Sequence, residues 1–148
     1  MTCFKAPTVL LLVTLCVFSA EEKVPVEVLY KGVIITTARG SSVQLSCDAV
    51  YDFEQCSLLH VVWVNVGKQI VELTDPRRFF TTVNETFSED NMRRRQVVTE
   101  ILNVSPEDAG QFQCQAECEE GQTAMGLFIW INVTGRVCFG IVMEYLGS

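Results

Sequence analysis

The sequence of 148 residues predicts an all-β antiparallel sandwich. Short runs rich in β-branched and aromatic residues recur along the chain, and turn residues separate them every few positions. Within several runs, apolar residues alternate with polar ones, as they do in half-buried strands. No run shows the apolar spacing of an amphipathic helix. About nine short strands are therefore expected, in one domain.

The first half of the chain predicts four strands, at residues 24–30, 42–47, 60–66 and 68–73. Pro25 suits only an edge strand, because proline has no N–H for a central ladder. In the second strand, Val43, Leu45 and Cys47 alternate with polar residues and are expected to face the core. The third strand is apolar on both faces, which is typical of a strand inside a sheet.

The second half predicts four longer strands, at residues 77–83, 93–104, 110–116 and 123–133. A polar loop is expected at 84–91, and Pro106 fixes the start of a turn before the third of these strands. Phe112, Cys114 and Ala116 alternate on one side of that strand. The last strand is apolar on both sides. The chain has no internal repeat and no low-complexity segment.

Residues 1–20 read as a secretory signal. Lys5 precedes an apolar run that is too short to span a bilayer, and Ser19 or Ala20 offers a small residue near a cleavage point. A short N-terminal anchor is the alternative. Secretion places the chain in an oxidising compartment, where cysteines form disulfides. Five of the seven cysteines lie outside this segment, so one of them is left over.

Cys47, Trp63 and Cys114 stand in the order Cys, Trp, Cys, and Cys114 closes the motif "DAGQFQC". This pattern resembles the immunoglobulin superfamily, over residues 24–134. The resemblance implies that Cys47 and Cys114 bridge the two sheets and that Trp63 packs against the bond. Phe112 takes the place of the family's corner tyrosine and lacks its hydroxyl.

The length between Trp63 and Cys114 favours the variable (V-set) type, with room for C′, a short C″, D and E strands. The resemblance further implies an ion pair between Arg78 and Asp108 at the bottom of the sandwich, against the alternative of solvated arginines. Variable-type domains place the B–C and F–G loops side by side, which implies a second disulfide between Cys56 and Cys118. The rival interpretation is a zinc site that uses these two cysteines, Cys114 and His60.

A protein-binding face is expected on the outer side of the sheet that contains the final strand. Period-two geometry, continued through the last strand, turns Leu127, Ile129, Ile131 and Val133 inward. The predicted contact residues are Val62, Val64, Gln113, Phe128 and Trp130. Exposed Trp among aliphatic residues is typical of interface hot spots. The alternative is that the C-terminal tail or part of the first strand covers this face. Arg93, Arg94 and Arg95 are expected to protect a sheet edge.

Three sequons make Asn84, Asn103 and Asn132 candidate glycosylation sites, with Asn84 favoured because it lies in the expected polar loop. Residues 135–148 form a tail whose apolar part is too short to span a membrane. Its Cys138 is the leftover cysteine, either an exposed thiol or half of an interchain disulfide.

The sequence predicts a non-enzymatic protein without cofactor or metal, because no catalytic motif or convergent acid–base pair is present. A net charge of −7 argues against nucleic acid as a partner. The resemblance implies a secreted recognition module that binds a protein, as immune and adhesion receptors do. The alternatives are a homophilic or structural module, possibly dimeric, and a soluble form of a type I membrane receptor that would otherwise lie at the cell surface. An antigen-receptor chain is disfavoured, because "AMGLFIW" lacks the F-G-x-G motif.

Overall fold

The computed structural model describes residues 24–67 and 69–135, and all structural statements concern these residues. The predicted all-β sandwich is confirmed. Its strands are β1 (Val26–Leu29), β2 (Ile34–Ala38), β3 (Val43–Asp52), β4 (Leu59–Val66), β5 (Ile70–Glu72), β6 (Phe79–Phe87), β7 (Met92–Ile101), β8 (Gly110–Cys118), β9 (Thr123–Met125) and β10 (Ile129–Thr134). A 3-10 turn, Pro106–Asp108, precedes β8.

The strands form two sheets. The back sheet has the order β1-β3-β7-β6, and the front sheet has the order β2-β10-β8-β4-β5, with β9 paired to β8. The described ladders are antiparallel except for the parallel pair of β2 with β10. The chain therefore crosses from the back sheet to the front sheet between β1 and β2.

The core lies between the sheets and is built from the alternating inner residues of both. Cys47 on β3 and Cys114 on β8 are joined across it, with an S–S distance of 2.08 Å. Trp63 is fully buried, and its indole N–H donates to the Val97 carbonyl oxygen at 3.3 Å, which ties β4 to β7. Phe112 is buried in the same cluster. Apolar burial, the core disulfide and the Trp63 hydrogen bond thus help to hold the two sheets together.

The bottom of the sandwich carries an ion pair. The Arg78 guanidinium lies 2.8 Å from an Asp108 carboxylate oxygen, and the same carboxylate accepts the backbone N–H of Ser105 at 2.8 Å. Asp108 therefore ties the start of β6 to the turn before β8.

Three parts of the structure differ from the sequence prediction. β2 was not predicted, although Val33, Ile34 and Ile35 form a β-branched run that could have indicated it. The expected loop at 84–91 is wrong in its first half, because β6 continues to Phe87 and its polar residues suit an edge strand. The short C″ strand is also absent from the described residues, where a turn over 73–78 leads directly into β6.

Candidate functional site

The last predicted strand is broken by a bulge. β9 pairs with β8 from Gln115 to Glu117, and β10 pairs with β8 from Gly110 to Phe112. Between these ladders, the three residues 126–128 lie opposite only two residues of β8, Gln113 and Cys114. One extra residue in a strand reverses which side chains face outward beyond it.

Tyr30, between β1 and β2, fills the opening that the bulge creates. Its hydroxyl accepts the Cys114 N–H at 3.1 Å and donates to the Leu127 carbonyl oxygen. Its ring lies 5.0 Å from the Trp63 ring, centroid to centroid. A Cβ added at Gly126 would overlap the Tyr30 ring, so only glycine fits at that position. Partial burial raises the pKa of the Tyr30 hydroxyl, against the opposing effect of the bond from Cys114.

Two further hydrogen bonds fix the bulge on β8. The Gly126 N–H donates to the Cys114 carbonyl oxygen at 3.0 Å, and the Gln113 side-chain amide donates to the Gly126 carbonyl oxygen at 2.8 Å. The bulge is therefore bonded from both β8 and Tyr30, and its side chains have a fixed direction.

The bulge creates an exposed apolar area at the β2–β10 edge of the front sheet. Phe128 and Trp130 are 43% and 46% exposed, and Ile34, which stands beside Trp130 in the parallel ladder, is 69% exposed. We call this area the front apolar patch; it comprises Val33, Ile34, Leu127, Phe128 and Trp130, which with Gly32 line a shallow open depression.

The structure corrects part of the predicted contact set. Val64 is only 1% exposed and Gln113 only 9%, so neither is available to a partner. Val64 stands between Gln113 on β8 and Glu72 on β5, whose longer side chains flank it, while Gln113 is bonded to the bulge. Val62 is half-buried. Phe128 and Trp130 are exposed as expected.

Leu127 was expected to face the core and is instead 63% exposed, because the bulge interrupts the alternation. Sequence reasoning also missed Val33 and Ile34, since it assigned no strand to them. Met125, on β9, is a further exposed apolar residue that strict alternation had not placed on this face. Gly126, inside an otherwise apolar run, was the one local signal of a bulge.

The loops at the opposite end of β8 are tied together. Cys56 and Cys118 form a second disulfide, with an S–S distance of 2.14 Å. The Ser57 hydroxyl donates to the Glu120 carboxylate at 2.9 Å. The Glu120 carboxylate accepts hydrogen bonds from its own backbone N–H and from Ser57. Both bonds lower the pKa of Glu120, and the bond from its own N–H has the larger effect. The β3–β4 and β8–β9 loops are thus linked covalently and by side chains.

The zinc alternative is not compatible with these bonds. Cys56, Cys118 and Glu120 have ligand atoms within 4.8 Å of one another, but the two sulfurs are bonded to each other and offer no thiolate. Cys114 is committed to the core disulfide. His60 lies on the outer face of β4, where its ring nitrogen is 3.6 Å from a Glu72 carboxylate oxygen.

The three consecutive arginines lie on β7, which is inside the back sheet, so the expected edge protection is wrong. Arg94 pairs with Asp48 at 2.6 Å and Arg95 with Glu85 at 2.7 Å. Arg95 also donates to the Leu59 carbonyl oxygen of the front sheet, and Arg93 lies 3.5 Å from the Phe53 ring centroid. These arginines connect strands and loops within the domain.

The three sequons lie on different surfaces. Asn84 is exposed on β6 of the back sheet rather than in a loop. Asn103 is exposed at a turn with a φ of 51°, and Asn132 is exposed on β10, two residues from Trp130. The predicted signal segment at residues 1–20 and the tail residues 136–148, with Cys138, lie outside the described residues.

Comparison with models of protein families gives a match. A family model described as Immunoglobulin domain matches residues 35–125, which is more than half of the chain and includes all four disulfide-bonded cysteines. A search of curated proteins finds no significant match. In the described part of the chain, no helix has the length and hydropathy that a membrane crossing requires.

Proposed function

The chain belongs to the immunoglobulin domain family, and from this premise we propose that it is an extracellular recognition module that binds a protein partner through its front sheet. The single observation that carries the proposal is the front apolar patch. It exposes aromatic and aliphatic side chains next to one another on a surface held rigid by the Tyr30 and Gln113 hydrogen bonds. Contiguous exposed apolar surface of this kind marks interaction sites.

The composition of the patch supports a protein as the partner. Trp130 and Phe128 supply large aromatic contact areas of the type enriched at binding hot spots. Polar residues surround them on the same face, including Gln111 on β8 and Asn132 on β10. An apolar centre with a polar rim is the usual arrangement of a protein–protein interface. The proposed contact set therefore keeps Val62, Phe128 and Trp130 and adds Val33, Ile34 and Leu127.

Rigidity supports the same proposal. The loops that carry Cys56 and Cys118 lose less conformational entropy on binding because the disulfide already restricts them. The disulfides also suit an extracellular or cell-surface protein. We further propose secretion through the N-terminal signal. We also propose a variable-type arrangement, which two features of the front sheet support: β5 pairs with β4 at one end of the sheet, and β2 pairs with β10 at the other.

The proposal is tested with the full chain produced in secretory cells, tetramerised and used to stain a panel of cell lines. Trp130→Ala and Ile34→Glu are each expected to lower binding at least about tenfold, because they remove central contacts of the patch. Phe80→Ala is the matched control, since Phe80 is an aromatic residue on the back sheet and is 60% exposed, more than Trp130.

The proposal is wrong if the two patch variants, Trp130→Ala and Ile34→Glu, bind the cells as well as the control variant Phe80→Ala does. Sedimentation of the same proteins distinguishes the homophilic alternative. If the wild-type chain self-associates and Trp130→Ala abolishes that association, the partner is a second copy of the chain. If all variants are monomers and only the patch variants lose cell binding, the partner is a separate ligand.

A further inference from the structure

β6 is an unusually long and uncovered edge strand. It has nine residues, seven of them exposed, and it pairs with β7 on one side only. In the described residues, no other strand pairs with its second side. An edge of this kind presents a row of unpaired N–H and C=O groups, which is a template for another strand.

The other strands at the ends of the two sheets are less open to pairing. β1 has four residues and follows Pro25, β5 has three residues, and β2 has five. Short length and proline are the usual protections of an edge. β6 has neither protection and contains no lysine or arginine. Its one charged residue, Glu85, is bonded to Arg95 and Tyr51 of the same sheet.

The inner side of β6 is also uncovered. Val83 stands opposite the buried Val97, so its side chain points toward the space between the sheets, yet Val83 is 60% exposed. The cause is the front sheet, which ends at the three-residue β5 and has no described strand before β6. A strand added along β6 would bury part of Val83 and satisfy the free backbone groups of the edge.

What β6 does carry is a sequon near its centre. Asn84 stands opposite Gln96 in the ladder, and both are exposed on the outer face of the back sheet. We propose that an N-linked glycan on Asn84 protects this edge, and that without the glycan β6 pairs with β6 of a second copy of the chain. This inference concerns the back sheet and is independent of the front apolar patch.

The geometry of such a pair explains why a glycan would prevent it. A two-fold contact centred near Val83 brings each strand against its own copy in antiparallel orientation. The two Asn84 side chains would then be diagonal neighbours on one face, roughly 7–8 Å apart. Branched glycans on both residues would crowd each other at this separation, whereas two bare asparagine side chains would not. Apart from Glu85, β6 is uncharged and rich in β-branched and aromatic residues, which favours the bare pair.

The first experiment compares sequon variants of the full chain produced in secretory cells. Mass spectrometry measures occupancy of Asn84, and sedimentation equilibrium at micromolar concentration measures mass. The wild-type chain is expected to be glycosylated at Asn84 and monomeric, while Asn84→Gln is expected to double the protein mass. Thr86→Ser keeps the sequon and is expected to stay monomeric. Asn132→Gln, which removes a sequon from the front sheet, is expected to behave in the same way.

The second experiment locates the contact. Adding Val83→Lys or Thr82→Lys to Asn84→Gln is expected to restore the monomer, because like charges then meet across the two-fold axis. Adding Ile34→Lys, at a similarly exposed edge position of the front sheet, is expected to leave the dimer intact. An unoccupied Asn84 in the wild-type chain, a monomeric Asn84→Gln variant, a dimer that survives both lysines, or one that Ile34→Lys dissociates would each overturn the inference.

Discussion

The hydroxyl of Tyr30 lies 3.1 Å from the backbone nitrogen of Cys114 and accepts its N–H. Tyr30 belongs to the segment where the chain crosses between the sheets, and Cys114 carries the core disulfide. The contact lies at the bulge, where Cys114 of β8 has no partner in β9 or β10. It therefore supplies a partner for a backbone group that the sheet leaves unpaired, and it directs Leu127 and Phe128 outward.

Removal of the Tyr30 hydroxyl is expected to destabilise the domain. Tyr30→Phe leaves the Cys114 N–H and the Leu127 carbonyl without this partner, at a cost of about 1–3 kcal/mol in the free energy of unfolding. Urea unfolding followed by tryptophan fluorescence measures the change. A variant as stable as the wild type would show that water replaces the hydroxyl at no cost.

A methyl group at position 126 is expected to be poorly tolerated. Gly126→Ala places its Cβ on the Tyr30 ring, so the ring or the bulge must move, at a cost of about 1–3 kcal/mol. Gly67→Ala is the matched control, because its added Cβ meets nothing closer than 3.8 Å and should change stability by less than about 0.5 kcal/mol.

The two glycine variants are compared by thermal unfolding. Combining Gly126→Ala with Tyr30→Leu should cost less than the sum of the single changes, since the smaller side chain leaves room for the methyl group. Strict additivity would mean that Tyr30 and Gly126 do not share this space.

The stability of the domain is expected to fall in alkaline solution. Burial raises the pKa of Tyr30 above its usual value of 10.0, and burial followed by the bond with Glu85 raises the pKa of Tyr51. Both raised values stabilise the folded protein below pH 10, and this stabilisation is lost as the pH rises through the folded-state pKa values. Urea midpoints across this range should decline less steeply for Tyr30→Phe than for the wild type. If the urea midpoints of the two proteins fall in parallel as the pH rises, Tyr30 does not contribute to this pH dependence.

Loss of the second disulfide is expected to weaken the fold without abolishing it. With the core bond in place, the second bond closes a ring of about fifteen residues, which corresponds to about 3 kcal/mol in the chain-entropy account. The Cys56→Ala, Cys118→Ala double variant should lose about this much in urea unfolding. Hydrogen exchange should also quicken in the two linked loops, and unchanged exchange there would show that the Ser57–Glu120 bond alone orders them.

The Arg78–Asp108 pair is expected to respond unequally to substitution. Arg78 is partly exposed, so Arg78→Ala should cost no more than about 1 kcal/mol. Asp108→Ala should cost about 2 kcal/mol, because the Ser105 N–H also loses its acceptor. Asp108→Asn, which keeps an acceptor oxygen, should lie between them. If Arg78→Ala and Asp108→Ala lower the stability equally in thermal unfolding, the ion pair dominates and the Ser105 bond contributes little.

The fold class was predictable because its signals are local or nearly so. The alternation of inward and outward residues in β3 and β8 is visible within each strand. The order of Cys47, Trp63 and Cys114 indicates a disulfide between two sheets with a tryptophan packed against it. The candidate site was only partly predictable. Trp130, beyond the bulge, and Phe128, at its end, were found by alternation counted from the last strand, while Val64 was assigned to an exposed face that its neighbours in the sheet cover.

The sequence by itself determined the two-layer architecture, the cysteines and tryptophan at its centre and the presence of aromatic residues on the final strand, because these features follow from the order and spacing of residues along the chain. Only the tertiary structure decided which of them reach solvent. The bulge at 126–128 depends on Tyr30, which lies almost a hundred residues earlier in the chain, and the open edge of β6 depends on where a different sheet ends. Contacts between distant segments leave no pattern in the local sequence, so they cannot be predicted from neighbouring residues.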